Sequence, residues 1–190
     1  MDNKHLDRQR VDHEAGQQST FTFLDPAAGL PPLEKVTSVG VVPFDENGCI
    51  VAAKLDRGVD IPGGHMHVGE RTFTETARRE CMEEAFITLG ELDVACVIQS
   101  DYYGSAPDQL TYMIIMTGPV ATLEAVVPNE ESQGREVLPV ADFLAQYTAA
   151  DKGFIGEIIN RAQAMYQQQA KSKLAGQPSA QPSNIPPSRA

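Results

Sequence analysis

Basic residues are in short supply in this chain. Fifteen Lys and Arg stand against 26 Asp and Glu, a formal net charge of -11 over 190 residues. A surface that acidic offers no electrostatic footprint for a nucleic-acid backbone or an anionic lipid face, so neither partner is expected. Cysteine is scarce as well. Cys49, Cys81 and Cys96 are an odd count, and no two share a close metal-ligand spacing such as C-x-x-C. They read as three reduced thiols in or near the core of a cytoplasmic protein. No apolar run approaches the roughly 20 residues that a membrane span needs. The opening MDNKHLDRQR is polar with no apolar run behind it, which is unlike a signal peptide. No internal repeat is visible.

What is present suffices for a packed core: 42% of residues are hydrophobic and 22% charged. The length suggests one domain with some excess at its ends. Residues 1–33 lack a sustained period and end in a stretch where prolines block regular structure, so they are read as an N-terminal extension that forms an extra strand, a dimer arm or a lid. A strand is expected over 36–44, a turn at DENG (45–48), and a return strand over 49–55. Asn47-Gly48 between two β-rich runs is a hairpin signal, because both residues tolerate positive φ. Thr72 followed by Glu75 fits a capping box, and Phe73, Ala77, Cys81 and Ala85 recur every four residues as the inward stripe of a helix over 73 to about 87. Further strands are expected within 91–100, over 110–118 and over 120–127, and residues 135–147 read as a short strand entering a helix. A last helix over 152–171 carries Phe154, Ile155, Ile158, Ile159, Ala162 and Met165 on one side. Residues 172–190, rich in Pro, Ser, Gln and Ala, read as a disordered tail. Strands alternating with helices imply an α/β fold, a mixed sheet covered by helices.

Within the first helix, Glu80, Glu83 and Glu84 span an arc of about 100°. Like charges so placed destabilise a helix, and three carboxylates converging on one point would drive some of them to protonate. The plain reading is a solvated acidic face, the usual fate of a charge run. The sharper one is that the side chains gather around Mg²⁺ or Mn²⁺, since hard cations prefer carboxylate oxygens. The surroundings favour the second. Gly63-Gly64 ends an expected strand and allows a backbone carbonyl to turn toward the same ion. Arg79 and Glu70 are placed to clamp the preceding loop against the helix, although a purely structural ion pair would look the same.

Residues 64–87 resemble the Nudix box, the signature of the Nudix hydrolase superfamily. Gly64 and Glu70 have the family spacing, and Arg79-Glu80-Cys81-Met82-Glu83-Glu84 fills its central Arg-Glu-x-x-Glu-Glu pattern. Six required residues at roughly 7% each coincide by chance on the order of 10⁻⁷ per starting position. Two departures stand out. Eight residues, where the family has seven, separate Glu70 from Arg79, with Arg71 as the extra one; the helix register is unaffected, but Glu70 could be displaced. Phe86 replaces the family glycine that lets the helix end tightly, so a longer or differently angled exit is expected.

The resemblance implies a Nudix-type α/β/α sandwich over residues 34–171 and a metal-dependent hydrolase. Its substrate would be a nucleoside diphosphate linked to another moiety: a nucleotide sugar, a dinucleoside polyphosphate or a nucleoside triphosphate. Glu80, Glu83 and Glu84 would hold Mg²⁺ or Mn²⁺ with the Gly63 carbonyl, Glu84 and Glu80 most persistently, while Arg79 and Glu70 brace the box. The general base varies between members. Glu131, with Glu130 beside it, is the candidate by its place before the last short strand, a solvated acidic loop being the other reading. His65 and His67 flank Met66 and point the same way if the loop is extended, toward substrate or toward water. Tyr103, next to Tyr102, lies at an offset where some members place a tyrosine; it either stacks on a base or caps a strand. The alternative function is a non-catalytic Nudix-fold module that binds a nucleotide for regulation. A diphosphate-isomerase branch carries an extra cysteine and glutamate pattern that is not evident here. Family members often form homodimers, a point on which the residues themselves say nothing.

Overall fold

A computed structural model describes residues 8–12, 18–149 and 151–176. Its elements in chain order are β1 (Arg8–Asp12), β2 (Gln18–Leu24), β3 (Val36–Phe44), β4 (Ile50–Leu55), β5 (Gly58–Asp60), β6 (Gly63–His65), α1 (Phe73–Ala85), β7 (Ile87–Leu89), β8 (Asp93–Ser100), β9 (Thr111–Leu123), β10 (Gly134–Leu138), α2 (Val140–Gln146) and α3 (Lys152–Gly176). The sheet runs β1-β2-β8-β9-β3-β4-β10, with β5 attached to β4, β6 to β3 and β7 to β9. β3 and β9 are parallel, and the other pairings are antiparallel. The expected mixed sheet is present.

Its central strands are buried almost throughout because both faces are covered. Successive residues alternate between two cores. Val39, Val41, Val51, Val97 and Ile114 pack with Ala77, Cys81 and Ala85 of α1. Val42, Phe44, Ile50, Ala52, Ile98 and Ile115 pack with Phe143 of α2 and with Phe154, Ile155, Ile158 and Ile159 of α3. The result is an α/β/α sandwich. Cys81 and Cys96 are buried and Cys49 half-buried, and all three are free thiols. Among the described residues no helix is long and apolar enough to cross a membrane.

Two expectations are met in one particular form, and two need correction. Of the forms open to the N-terminal extension, residues 18–24 take the extra strand: β2 pairs with β8, and Phe23 is buried in the core. The alternation Ser-Thr-Phe-Thr-Phe decides this, because it sends Phe21 and Phe23 to one face, where Phe154 meets both rings. The Asn47-Gly48 hairpin forms, with Gly48 at φ 76, and its antiparallel ladder is short, with β3 and β4 in register at Phe44 and Ile50. Along the rest of their lengths β3 also pairs with β9 and β6, and β4 with β10 and β5. The two strands expected on either side of Gly118-Pro119 are one, β9. The Pro119 carbonyl still accepts from Gly90 N at 2.8 Å, and a side chain at Gly118 would meet the Glu91 carbonyl, so the chain passes through without breaking. Finally, α3 continues to Gly176 past the expected end at 171. Residues 172–175 contain no helix breaker, and the first proline is Pro178. Residues 177–190 of the expected tail lie outside the described residues.

Candidate active site

β6 brings a bare backbone against α1. It pairs with β3, and a Cβ on Gly63 would stand 2.6 Å from the Val39 carbonyl oxygen, so no side chain fits there. A Cβ on Gly64 would stand 2.4 Å from Glu80 Oε1. The space a side chain would fill is taken by the Glu80 carboxylate. Gly63 N donates to Glu84 Oε2 at 2.8 Å. Two carboxylates of one helix thus flank one glycine pair, and both are buried, at 6% and 8% exposure for Glu80 and Glu84. Burial raises the Glu84 carboxyl to about 7, with the Gly63 N–H opposing and neighbouring Glu80 adding to the rise.

α1 begins as its sequence dictates. Thr72 is the N-cap and its Oγ1 accepts from Glu75 N at 3.2 Å. The Glu75 carboxylate reaches back to Arg71 N rather than to the N-cap's own N–H, so the extra residue is tied into the cap. Glu70 is consequently not displaced. Arg79 Nε donates to Glu70 Oε1 at 2.8 Å, while His67 N and Thr76 Oγ1 donate to Glu70 Oε2 at 2.6 and 2.8 Å. Hydrogen bonding to Arg79 is the main reason the Glu70 carboxyl falls to about 2, and the same bond raises Arg79 further above its ordinary value.

Arg79 does more than clamp the loop. Its Nη1 donates to Glu80 Oε1 at 2.7 Å and Glu83 Oε2 at 2.9 Å, and its Nη2 to the His65 carbonyl at 2.9 Å. Glu80 and Glu83 therefore converge on a guanidinium, not on open space. Among the described residues no three His, Cys, Asp or Glu side chains lie close enough to hold an ion as they stand. The nearest cation wins the contact, because unpaired buried carboxylates are costly. The donor set nevertheless fits a divalent ion: hard carboxylate oxygens, two of them buried, set in a cradle that a Cβ at Gly64 would close.

α1 ends at Ala85, and Phe86 itself adopts the left-handed conformation, φ 53 and ψ 49. The expected longer exit does not form. Phe86 takes the conformation the glycine would have taken, and Arg135 from β10 donates to the Phe86 carbonyl at 2.8 Å.

A cavity of about 610 Å³ opens over the glutamates, lined also by His65, His67, Glu130, Glu131 and Arg57. Both histidines are exposed on the side opposite Met66, which packs on the α1 core, as alternation requires. Tyr103 is not part of this lining. It is 61% exposed in the loop after β8, edge-on to Tyr102. A second cavity of about 360 Å³ adjoins the first, sharing Arg57, Gly63, Gly64 and His65 with it. Ile61, Met113, Tyr147 and Phe154 give it an apolar wall, and Asp60 lies in the lining. Burial raises the Asp60 carboxyl despite its bonds from Arg57 Nε and Nη2, both 3.1 Å. Sequence reasoning missed Arg57, Asp60 and Tyr147, which carry no motif. It also missed Asn129, Ser132 and Arg135, which bond backbone carbonyls in the last turn of α1 and at its exit.

The family model of the NUDIX domain matches residues 34–157. No curated protein matches the sequence. Among solved structures, the chain is similar to a Bacillus subtilis pyrophosphohydrolase, with 18% identity, a TM-score of 0.54, and coverage of 88% of this chain and 98% of that one. The NUDIX domain of Shewanella oneidensis NrtR, in complex with ADP ribose, gives 15%, 0.51, and 80% and 94%. A NUDIX hydrolase from Nitrosomonas europaea gives 15%, 0.52, and 69% and 90%.

Proposed function

This chain belongs to the NUDIX family, and on that premise we propose that it is a Mg²⁺- or Mn²⁺-dependent pyrophosphohydrolase acting on a nucleoside diphosphate linked to another moiety. One observation carries the reading: Glu80 and Glu84 lie buried against the Gly63-Gly64 backbone with Glu83 beside them, at the floor of a cavity large enough for a diphosphate. Glu80, Glu83 and Glu84, with the Gly63 carbonyl, are the ion's ligands in this proposal. A divalent ion held there supplies phosphate-charge neutralisation and acidifies a water.

The chain's own residues do the rest. Arg57 lines both cavities and is placed to meet the phosphates between them. His65 and His67 face the same space and can donate to phosphoryl oxygens. The apolar cavity beside it takes the flat, less charged part of the substrate, with Tyr147 and Phe154 as its ring surfaces. Glu131 is the general base: as water attacks one phosphorus, the bond from it to the bridging oxygen breaks, the other phosphate leaves with that oxygen and the bonding pair, and the water's proton passes to the Glu131 carboxylate. Arg79 holds the glutamates in register before the substrate arrives.

A binding module that does not turn its ligand over is the second reading, favoured by the Arg79 bonds to Glu80 and Glu83. One assay separates the two. ADP-ribose, diadenosine polyphosphates, NADH and nucleoside triphosphates are offered with Mg²⁺ to the wild type and to Glu84→Gln. At least one substrate should be hydrolysed, with a loss of about 100-fold or more in the variant. No turnover of any substrate would favour the binding module, and unchanged turnover in Glu84→Gln would discredit the site.

A further inference from the structure

The loop between β9 and β10 carries Glu130 and Glu131 over the cavity, and it is fastened to the helix that bears the other carboxylates. Asn129 makes the fastening. Its Oδ1 accepts from Glu131 N at 2.8 Å and Ser132 N at 2.7 Å, closing an Asx turn. Its Nδ2 donates outward to the Glu83 carbonyl at 3.1 Å. One amide therefore joins the backbone of Glu131 to that of Glu83. Ser132, only 2% exposed, repeats the join one residue over: its Oγ donates to the Glu84 carbonyl at 2.5 Å and accepts from Gly134 N at 3.0 Å. Behind it, Gln133 N donates to the Lys54 carbonyl at 2.8 Å, pinning the loop to β4.

These bonds have a local cause. The last four carbonyls of a helix lack partners within it, and no Lys, Arg or His sits in the last turn of α1. Three glutamates in its last two turns add to the negative end of the dipole. Donors must come from elsewhere, and Asn129, Ser132 and Arg135 supply them.

Resting on the hydrolase reading above, we propose that Asn129 and Ser132 are positioning residues, which hold Glu130 and Glu131 at a fixed distance from Glu83 and Glu84 so that both carboxylate sets move as one body. Neither residue touches the substrate. Their effect passes through the backbone: a loop freed from α1 still carries its glutamates but no longer sets where they stand. Misplacement of about 1 Å costs on the order of 100-fold in rate, so a partly freed loop should cost about 10-fold.

Two variants separate the fastening from the turn. Asn129→Asp keeps an oxygen for the Glu131 and Ser132 N–H groups but has no donor for the Glu83 carbonyl. Asn129→Ala loses both. The full chain with Mg²⁺ is assayed on whichever panel substrate the wild type hydrolyses, alongside amide hydrogen exchange over residues 129–134. Both variants should lose about 10-fold in kcat with KM changed less than about 2-fold. Exchange at 131 and 132 should speed up in Asn129→Ala and stay slow in Asn129→Asp. A folded Asn129→Asp with wild-type kcat would overturn the proposal while leaving the hydrolase reading intact. A kcat loss matched by an equal rise in KM would also overturn it. Absence of wild-type turnover on every substrate would overturn the hydrolase reading first, and this proposal with it.

Discussion

Arg79 is a single cation set among three carboxylates and a backbone carbonyl, and the behaviour of the box follows from how it divides its bonds. Removing the Glu70 charge leaves Arg79 with fewer acceptors and loosens the loop at His67 and Thr76. Glu70→Gln should therefore lower stability by about 1.5–3 kcal/mol, the range for a hydrogen bond to a charged group, as measured by urea denaturation at pH 7. An unchanged midpoint would mean the clamp is idle. Glu84 works in the opposite sense. Its folded carboxyl titrates near 7 against an ordinary 4.5, so the folded state binds the proton more tightly. That contribution is complete below about pH 4.5 and is lost as pH rises through 7. In EDTA, wild-type stability should drop between pH 5 and 8 relative to Glu84→Gln; parallel profiles would contradict the burial argument. The Arg79–Glu70 pair was legible in the sequence because a fixed helix register and a short loop leave few other partners. Arg79's bonds to Glu80 and Glu83 were not, since like spacing serves an ion equally well.

At the scale of the element, α1 is capped from its own sequence at one end and from outside at the other. Thr72 and Glu75 announce the start, and the stripe of Phe73, Ala77, Cys81 and Ala85 gives the buried face. The end is harder to read, because Phe86 looks unable to replace a glycine. Left-handed φ costs a residue with a Cβ about 1–2 kcal/mol, whereas truncating a buried phenylalanine costs about 3–5. Burial therefore outweighs the strain, and Phe86 is 8% exposed. Phe86→Gly should thus destabilise by about 1–4 kcal/mol despite relieving the backbone, and Phe86→Ala by about 1–2 more, because alanine keeps the strain and leaves the cavity. Thermal or urea unfolding of the two variants checks the order. A Phe86→Gly protein more stable than wild type would reverse the argument. The donors Asn129, Ser132 and Arg135 were invisible in sequence because they lie 46 to 50 positions from the carbonyls they satisfy, from Glu83 to Asn129 at the low end and from Ala85 to Arg135 at the high end.

For the whole molecule, the sheet is a divider with a core on each face, and its breadth depends on residues that no motif marks. β2 adds Phe21 and Phe23 beneath α3, where Arg161 lies 4.9 Å from the Phe23 ring centroid. Phe23→Ala should cost about 3–5 kcal/mol, as for any large core truncation. A loss under about 1 kcal/mol would return residues 18–24 to the status of an appendage. The central strands were legible because near-continuous Val and Ile runs suit a sheet covered on both sides. Their pairing was not: a tight turn at Asn47-Gly48 specifies a reversal, but the partners of β3 and β4 are set by chain far away. The site sits where those distant pairings bring β6, α1 and the loop before β10 together.

The central claim is that the α1 carboxylates bind a divalent ion, and calorimetric titration with Mn²⁺ tests it most directly. The wild type should bind Mn²⁺, Glu80→Gln and Glu84→Gln should each weaken binding by about 10-fold or more, and Glu75→Gln at the far end of the same helix should leave it unchanged. Equal affinity across all four proteins, or none in the wild type, would contradict the account.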